Sequence, residues 1–103
     1  MFIDTHCHLY DAYFQDRKHE VEVRALEAGI QTILLPNVNL GSLEALDNAH
    51  NHYPGLRIER MIGLHPCYVK EDWRDQLNQI EAHYQKNVNN YVAVGEIGMD
   101  LYW

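Results

Sequence analysis

Four strand-like apolar segments recur along this chain at nearly constant spacing, and each interval between them carries a helix-like pattern. The segments are residues 2–9, 31–38, 58–65 and 91–97. This alternation predicts βαβ units around a parallel sheet, because parallel strands need a long crossover that is usually a helix. Eight such units would fill about 240 residues, close to the length of a (β/α)8 barrel. The pattern predicts an α/β fold, either about four units of such a barrel or an open four-stranded sheet.

The three intervals carry apolar residues at helical spacing, which predicts one amphipathic helix in each. Gly29 is the predicted stop of the first helix, and Ser42 and Asp72 are the predicted N-caps of the second and third. The sequence ends just past the fourth strand, so we expect residues 1–103 to form one N-terminal part of a barrel, truncated there. The apolar positions are Val21, Ala25 and Ala28, then Leu43, Leu46 and Ala49, then Trp73, Leu77, Ile80 and Tyr84.

The composition is that of a soluble globular domain, with 47% hydrophobic and 22% charged residues. No apolar run approaches the length of a membrane span, and no basic segment followed by an apolar one marks a secretory signal. We therefore expect a cytoplasmic protein with no membrane partner. Cys7 and Cys67 form no CxxC pair, and without an export signal they are expected to be free thiols.

The charge balance is acidic, with 8 Lys and Arg residues against 15 Asp and Glu residues and a formal net charge of −7. Binding to phosphates usually depends on clustered Lys and Arg. The chain carries no evident basic track, which counts against binding of nucleic acid.

The strongest chemical signal lies in the first predicted strand, where Asp4, His6 and His8 alternate with apolar or small residues. Alternate side chains share one face of a strand, and residues two apart lie about 7 Å from each other. Two imidazoles at this spacing can converge on one cation, with nitrogen–metal distances of about 2.1 Å. We therefore predict His6 and His8 as metal ligands, the alternative being two half-buried histidines bonded to backbone or solvent.

Two further ionisable residues end predicted strands. Glu96 follows the apolar strand of residues 91–97, and a carboxylate there suits a bridge between two cations or, alternatively, a structural ion pair with Arg or Lys. Gly95 and Gly98 would let a second backbone or a ligand come close. His65 precedes Pro66, which favours an extended backbone, so His65 either contacts substrate or caps the strand.

Three motifs together resemble the TatD-related deoxyribonucleases, a family of metal-dependent hydrolases. MFIDTHCHL at residues 1–9 resembles the family's first-strand signature, and IGLHP at residues 62–66 is similar to its third-strand motif. VGEIGMD at residues 94–100, followed by Tyr102 and Trp103, is similar to its fourth-strand motif. The three motifs occur in order and span the chain.

The resemblance implies the N-terminal half of a TIM (β/α)8 barrel that hydrolyses phosphodiester bonds in DNA with a metal-activated water. It implies one or two divalent ions, Zn, Mn or Mg, with His6 and His8 on one ion and Glu96 shared between two as the catalytic carboxylate. His65 is the expected substrate-binding residue. Two further histidines and an aspartate would come from later strands, which lie beyond residue 103.

The sequence departs from the family pattern at two positions. Met99 stands where Leu is usual, and Cys67 stands where a further histidine is common, which affects expected substrate contacts but not metal ligands.

Two other functions remain open at this point: an amidohydrolase acting on C–N or carboxylic ester bonds, and a non-catalytic fragment. A half barrel also exposes two sheet edges, so we expect self-association, for example as a dimer of half barrels, or else poor folding.

Overall fold

The computed structural model describes residues 1–102 and contains four strands and three α-helices in alternation among them. Trp103, which belongs to the third family motif, lies outside the described residues. Short 3-10 turns follow several of these elements. The elements are β1 (Phe2–Asp4), α1 (Lys18–Glu27), β2 (Ile30–Pro36), α2 (Leu43–Asn48), β3 (Arg57–Ile62), α3 (Trp73–Lys86) and β4 (Ala93–Val94).

The strands form one sheet in the order β1-β2-β3-β4, and every neighbouring pair is parallel. β2 and β3 make the longest ladder, from Thr32 opposite Arg57 to Pro36 opposite Met61. Strands that are consecutive in the sequence are neighbours in the sheet, as in the first half of a (β/α)8 barrel. The predicted four strands, three helices and parallel order are therefore confirmed.

The predicted strands are longer than the observed ones, and this error matters most at the first and the fourth. β1 ends at Asp4 rather than at residue 9, so His6 and His8 lie in the loop that follows the strand. After β1 the Asp4 carboxylate accepts a hydrogen bond from the backbone N–H of His6 at 3.0 Å, and the backbone N–H of Cys7 donates to the carbonyl of Leu34 at 3.2 Å. β4 is confined to Ala93–Val94, although Gly95 N–H still donates to the carbonyl of Ile62.

The core fills the space between the sheet and the helices. Leu35, Leu46 and Tyr53 are fully buried there, and the Tyr53 hydroxyl donates a hydrogen bond of 2.9 Å to the carbonyl of Leu9. Burial of such side chains is the main favourable contribution to folding. The remaining core residues are Leu9, Ile33, Leu43, Ala49, Leu56, Ile62, Leu64 and Ile80.

The helix ends agree only in part with the predicted caps. Gly29 lies just past α1 with φ +83°, a left-handed conformation that favours glycine, which confirms the predicted stop. Ser42 and Asp72 are the N-cap residues of α2 and α3, which confirms the predicted positions, but neither side chain makes a capping hydrogen bond to its helix. Asn39 instead caps the turn before α2, and its side chain accepts from Ser42 N–H.

One carboxylate, that of Asp47 in α2, contacts two other elements of the fold and the segment before β4. It accepts hydrogen bonds from Arg60 of β3 at 3.1 Å and from the Tyr91 hydroxyl at 2.8 Å. Its second oxygen lies 2.7 Å from Nε2 of His83 in α3. Burial raises the pKa of Tyr91, so its hydroxyl stays protonated and donates. Asp47 therefore fixes α2, α3 and the approach to β4 relative to β3.

Helices long and apolar enough to cross a membrane are absent from the part of the chain that the structure describes.

Candidate metal site

Three ligand atoms converge at the carboxyl end of the sheet, where parallel barrels place their active sites. His6 Nε2 and His8 Nε2 lie 3.2 Å apart. Oε2 of Glu96, which follows β4, lies 3.2 Å from His6 Nε2 and 3.3 Å from His8 Nε2. The structure thus brings together the three residues that the sequence predicts as metal ligands.

The donor set fits a divalent cation. Oε2 of Glu96 is buried and has no hydrogen-bond partner among the described residues, although both imidazole nitrogens lie beside it. A buried carboxylate oxygen without a partner is costly, and a cation among the three ligand atoms would satisfy it. All three atoms lie within 4.8 Å of one another, and two imidazoles with one carboxylate suit Zn, Mn and related ions.

The protonation state of His8 also suits a ligand. Burial lowers the pKa of His8, and neighbouring His6 and His65 lower it further, while Glu96 opposes the shift. His8 is therefore neutral at physiological pH, which is the form that binds metals. His8 is half-buried, whereas His6 is more exposed.

His65 lies on the opposite side of the Glu96 carboxylate. Its Nε2 is 3.0 Å from Glu96 Oε1, and its Nδ1 accepts a hydrogen bond of 3.0 Å from the backbone N–H of Cys67. Since Nδ1 accepts, the ring proton lies on Nε2 and is directed at Oε1. His65 thus contacts one carboxylate oxygen of Glu96, and the other oxygen lies beside His6 and His8.

Glu96 reaches the site because its backbone lies against β3 at a glycine. A Cβ on Gly63 would come within 2.8 Å of the Glu96 carbonyl oxygen and of the Gly95 carbonyl carbon. A second backbone does come close to Gly95, because Gly63 packs against its carbonyl group, but among the described residues none approaches Gly98. A Cβ on Gly95 would meet only the Met61 side chain at 3.4 Å, and Gly98 has open space but a φ of +140°.

Asn37 supports the same region and is absent from the sequence prediction. It is fully buried at the end of β2, where its carbonyl accepts the backbone N–H of Glu96 at 3.1 Å. Its side-chain amide donates to the carbonyl of Gly63 at 2.8 Å. A polar residue after a run of apolar strand residues is the only sequence signal for it. Asn37 therefore holds together the ends of β2, β3 and β4.

The two cysteines are free thiols, as predicted. Burial raises the pKa of Cys7. The Cys67 thiol donates to the Asp100 carboxylate at 3.1 Å, which raises the pKa of Cys67 and lowers the pKa of Asp100. Asp100 thereby gains a structural role: with Cys67 it joins the loop after β3 to the segment after β4.

A cleft of about 560 Å³ lies beside the metal ligands. His8 and His65 form part of its wall, next to the aromatic rings of Tyr13 and Tyr68. A substrate in this cleft would meet imidazole and aromatic groups within reach of the cluster.

A parallel sheet with a histidine and carboxylate cluster at its carboxyl end is the arrangement of metal-dependent hydrolases of the barrel type. A model of the TatD-related DNase family matches residues 3–103. The chain belongs to this family.

Two relatives are similar over nearly the whole chain. The uncharacterized metal-dependent hydrolase YjjV of Escherichia coli K12 is 32% identical over 102 residues, a match that covers 98% of this chain and 38% of YjjV. An uncharacterized metal-dependent hydrolase of Methanocaldococcus jannaschii is 35% identical over 104 residues, covering 97% of this chain and 38% of that protein. The chain therefore spans about 38% of the length of these relatives.

Solved structures agree with this assignment. The crystal structure of YjjV matches with a TM-score of 0.85 and 29% identity, over 99% of this chain and 39% of that one. A TatD family hydrolase from Entamoeba histolytica matches with a TM-score of 0.78 and 26% identity, over 96% and 38%. The predicted fold is confirmed: the chain is an N-terminal half barrel, and the open-sheet alternative is excluded.

Proposed function

We propose that this chain supplies the first part of the metal centre of a hydrolase that cleaves phosphodiester bonds in DNA. The observation that carries the proposal is the convergence of His6, His8 and Glu96 around a buried carboxylate oxygen without a hydrogen-bond partner. Membership of a family described as TatD-related DNases supports DNA as the substrate.

In this proposal His6 and His8 would hold one divalent ion, and Glu96 would be a ligand shared between two and the catalytic carboxylate. Bound divalent ions would polarise the phosphate and lower the pKa of the attacking water. His65 holds Oε1 of Glu96 and borders the cleft, a position from which it would also contact substrate. Zn, Mn and Mg are the metals we expect.

Because the chain spans about 38% of its relatives, the complete activity belongs in this proposal to a protein of barrel length. Residues 1–103 would form its N-terminal part. The second half would add two histidines and an aspartate to the site. The acidic net charge of −7 disfavours DNA at the surface of this half, and bound cations would offset it at the site.

A hydrolysis assay on a barrel-length protein containing these residues tests the proposal. With Mn²⁺ or Zn²⁺ present, we expect cleavage of DNA, and His6→Ala or Glu96→Ala should lower the rate by several orders of magnitude. His19→Ala is the matched control, because His19 is exposed on α1 and is not one of the three clustered ligands. Near-wild-type rates in both site variants would contradict the assignment of His6 and Glu96 to the active site.

The same assay separates the proposed substrate from its main rival. If the protein hydrolyses carboxylic esters or amides but not DNA, the proposed metal centre stands and the proposed nuclease activity is wrong. Metal binding without any hydrolysis at barrel length would favour a non-catalytic protein. The predicted cytoplasmic location belongs to this proposal, and fractionation of cells that express the tagged protein tests it.

A further inference from the structure

Tyr10, two residues beyond His8, contacts the ring nitrogen that faces away from the metal cluster. Its hydroxyl oxygen lies 3.0 Å from His8 Nδ1, and the two rings meet edge to face with their centroids 5.7 Å apart. The same hydroxyl donates a hydrogen bond to the carbonyl of Pro36, the last residue of β2. Tyr10 thus links the loop that carries His8 to the end of a central strand.

The number of available protons determines the direction of each bond. A carbonyl oxygen has no proton, so the contact with Pro36 uses the single proton of the Tyr10 hydroxyl. The hydroxyl oxygen can then only accept from His8, which requires a proton on Nδ1. A neutral imidazole has one ring proton, so Nε2 carries a lone pair. That nitrogen lies 3.3 Å from Glu96 Oε2.

We propose that Tyr10 is a positioning residue that holds His8 as the Nδ1–H tautomer and directs the Nε2 lone pair into the metal site. The inference rests on the proposed metal centre and deepens it. Residues that hydrogen-bond the outer nitrogen of a ligating histidine fix its tautomer and orientation. A hydroxyl tied to a backbone carbonyl does this without adding a charge beside the site.

His65 provides an internal comparison within the same chain. Its Nδ1 accepts from Cys67 N–H, so its proton lies on Nε2 and is directed at Glu96. The structure therefore assigns opposite tautomers to His8 and His65. Each assignment comes from a separate hydrogen bond, and both can be read in one spectrum.

Long-range ¹⁵N–¹H NMR of the metal-free chain at mildly alkaline pH distinguishes the two tautomers. We expect a protonated Nδ1 in His8 and a protonated Nε2 in His65. In Tyr10→Phe the His8 preference should be lost, while His65 is unchanged. Tyr84→Phe is the control, because it also removes a tyrosine hydroxyl and lies on α3 beside Tyr91. A proton on Nε2 of His8 in the unaltered chain would overturn the proposal.

Calorimetric titration with Zn²⁺ gives the functional readout. Tyr10→Phe should weaken Zn²⁺ binding by about 10-fold to 100-fold, and Tyr84→Phe should leave it unchanged. Equal affinities for the unaltered chain and Tyr10→Phe would reject the role of Tyr10. If the unaltered chain binds no Zn²⁺, the proposed metal centre is wrong. The tautomer of His8 in the metal-free spectrum still shows whether Tyr10 positions its ring.

Discussion

Asn37 is fully buried at the end of β2, and both polar groups of its side chain are hydrogen-bonded. The amide nitrogen donates to the carbonyls of Asn39 and Gly63, and the amide oxygen accepts from the Ser42 hydroxyl at 2.8 Å. Buried polar groups stabilise a fold only when they are paired in this way. The position of Glu96 among the metal ligands depends on Asn37, because the backbone N–H of Glu96 donates to the Asn37 carbonyl.

We expect Asn37→Ala to lower the free energy of unfolding by about 3 kcal/mol, because the carbonyls of Gly63 and Asn39 lose a donor and the Ser42 hydroxyl loses an acceptor. Urea denaturation followed by circular dichroism measures the change. Asn48→Ala is the control, since Asn48 is exposed and its amide donates only to the carbonyl of Glu44 within α2. Equal stabilities of the two variants would contradict the role given to Asn37.

Gly63 admits the Glu96 backbone against β3. In Gly63→Ala the added Cβ would meet backbone atoms at 2.8 Å, so the segment after β4 must move and carry Glu96 with it. We expect Zn²⁺ affinity, measured by calorimetry, to fall at least about tenfold. In Gly41→Ala the Cβ would meet only the Asn39 side chain at 3.4 Å, and affinity should be unchanged.

The sequence predicts the ligand residues but misses the residues that support them. His6, His8 and Glu96 stand out because ionisable groups interrupt apolar strand patterns. Tyr10 and Asn37 do not, since their roles depend on contacts with residues 26 positions away, Pro36 and Gly63. No local pattern encodes such a distance.

At the scale of elements, Asp47 is the junction between α2, β3 and α3. Arg60 and His83 contact its two oxygens, and Tyr91 contacts one of them. Removal of a half-buried charged acceptor leaves several donors without a partner. The packing of α2 and α3 against the sheet therefore depends on one carboxylate as well as on the apolar core.

We expect Asp47→Ala to lower the free energy of unfolding by about 2–3 kcal/mol in a denaturant titration. Glu44→Ala, an exposed acidic position on the same helix, should change it by less than about 0.5 kcal/mol. An effect of Asp47→Ala no larger than that of Glu44→Ala would show that these contacts add nothing to stability.

Element type and order follow from hydrophobic periodicity, whereas element ends do not. The alternation of strand and helix patterns predicts four parallel strands, all of which form. The predicted first strand runs five residues too far, and just past its observed end the Asp4 side chain accepts the N–H of His6. A hydrogen bond between a side chain and the backbone is not visible in the hydrophobic pattern.

At the scale of the molecule, the half barrel has two open edges and an apolar surface. Among the described residues, β1 pairs only with β2 and β4 only with β3. Phe2 and Val94, on these edge strands, are 66% and 67% exposed. Unpaired edges and exposed apolar side chains favour association with another chain.

We therefore propose that the isolated chain self-associates, and light scattering after size exclusion measures its mass. Val94→Lys should shift the population towards monomer, because it places a charge on the exposed edge strand. Val23→Lys, at an exposed position of α1, should not. A monodisperse, cooperatively melting monomer in the unaltered chain would contradict the proposal.

Calorimetric titration with Zn²⁺ and Mn²⁺ is the first test of the proposal that His6, His8 and Glu96 form a divalent metal site within this chain. We predict saturable binding that is lost in His6→Ala and retained in His19→Ala, whose histidine is exposed on α1. Absence of binding in the unaltered chain, or equal binding in His6→Ala, would contradict the account.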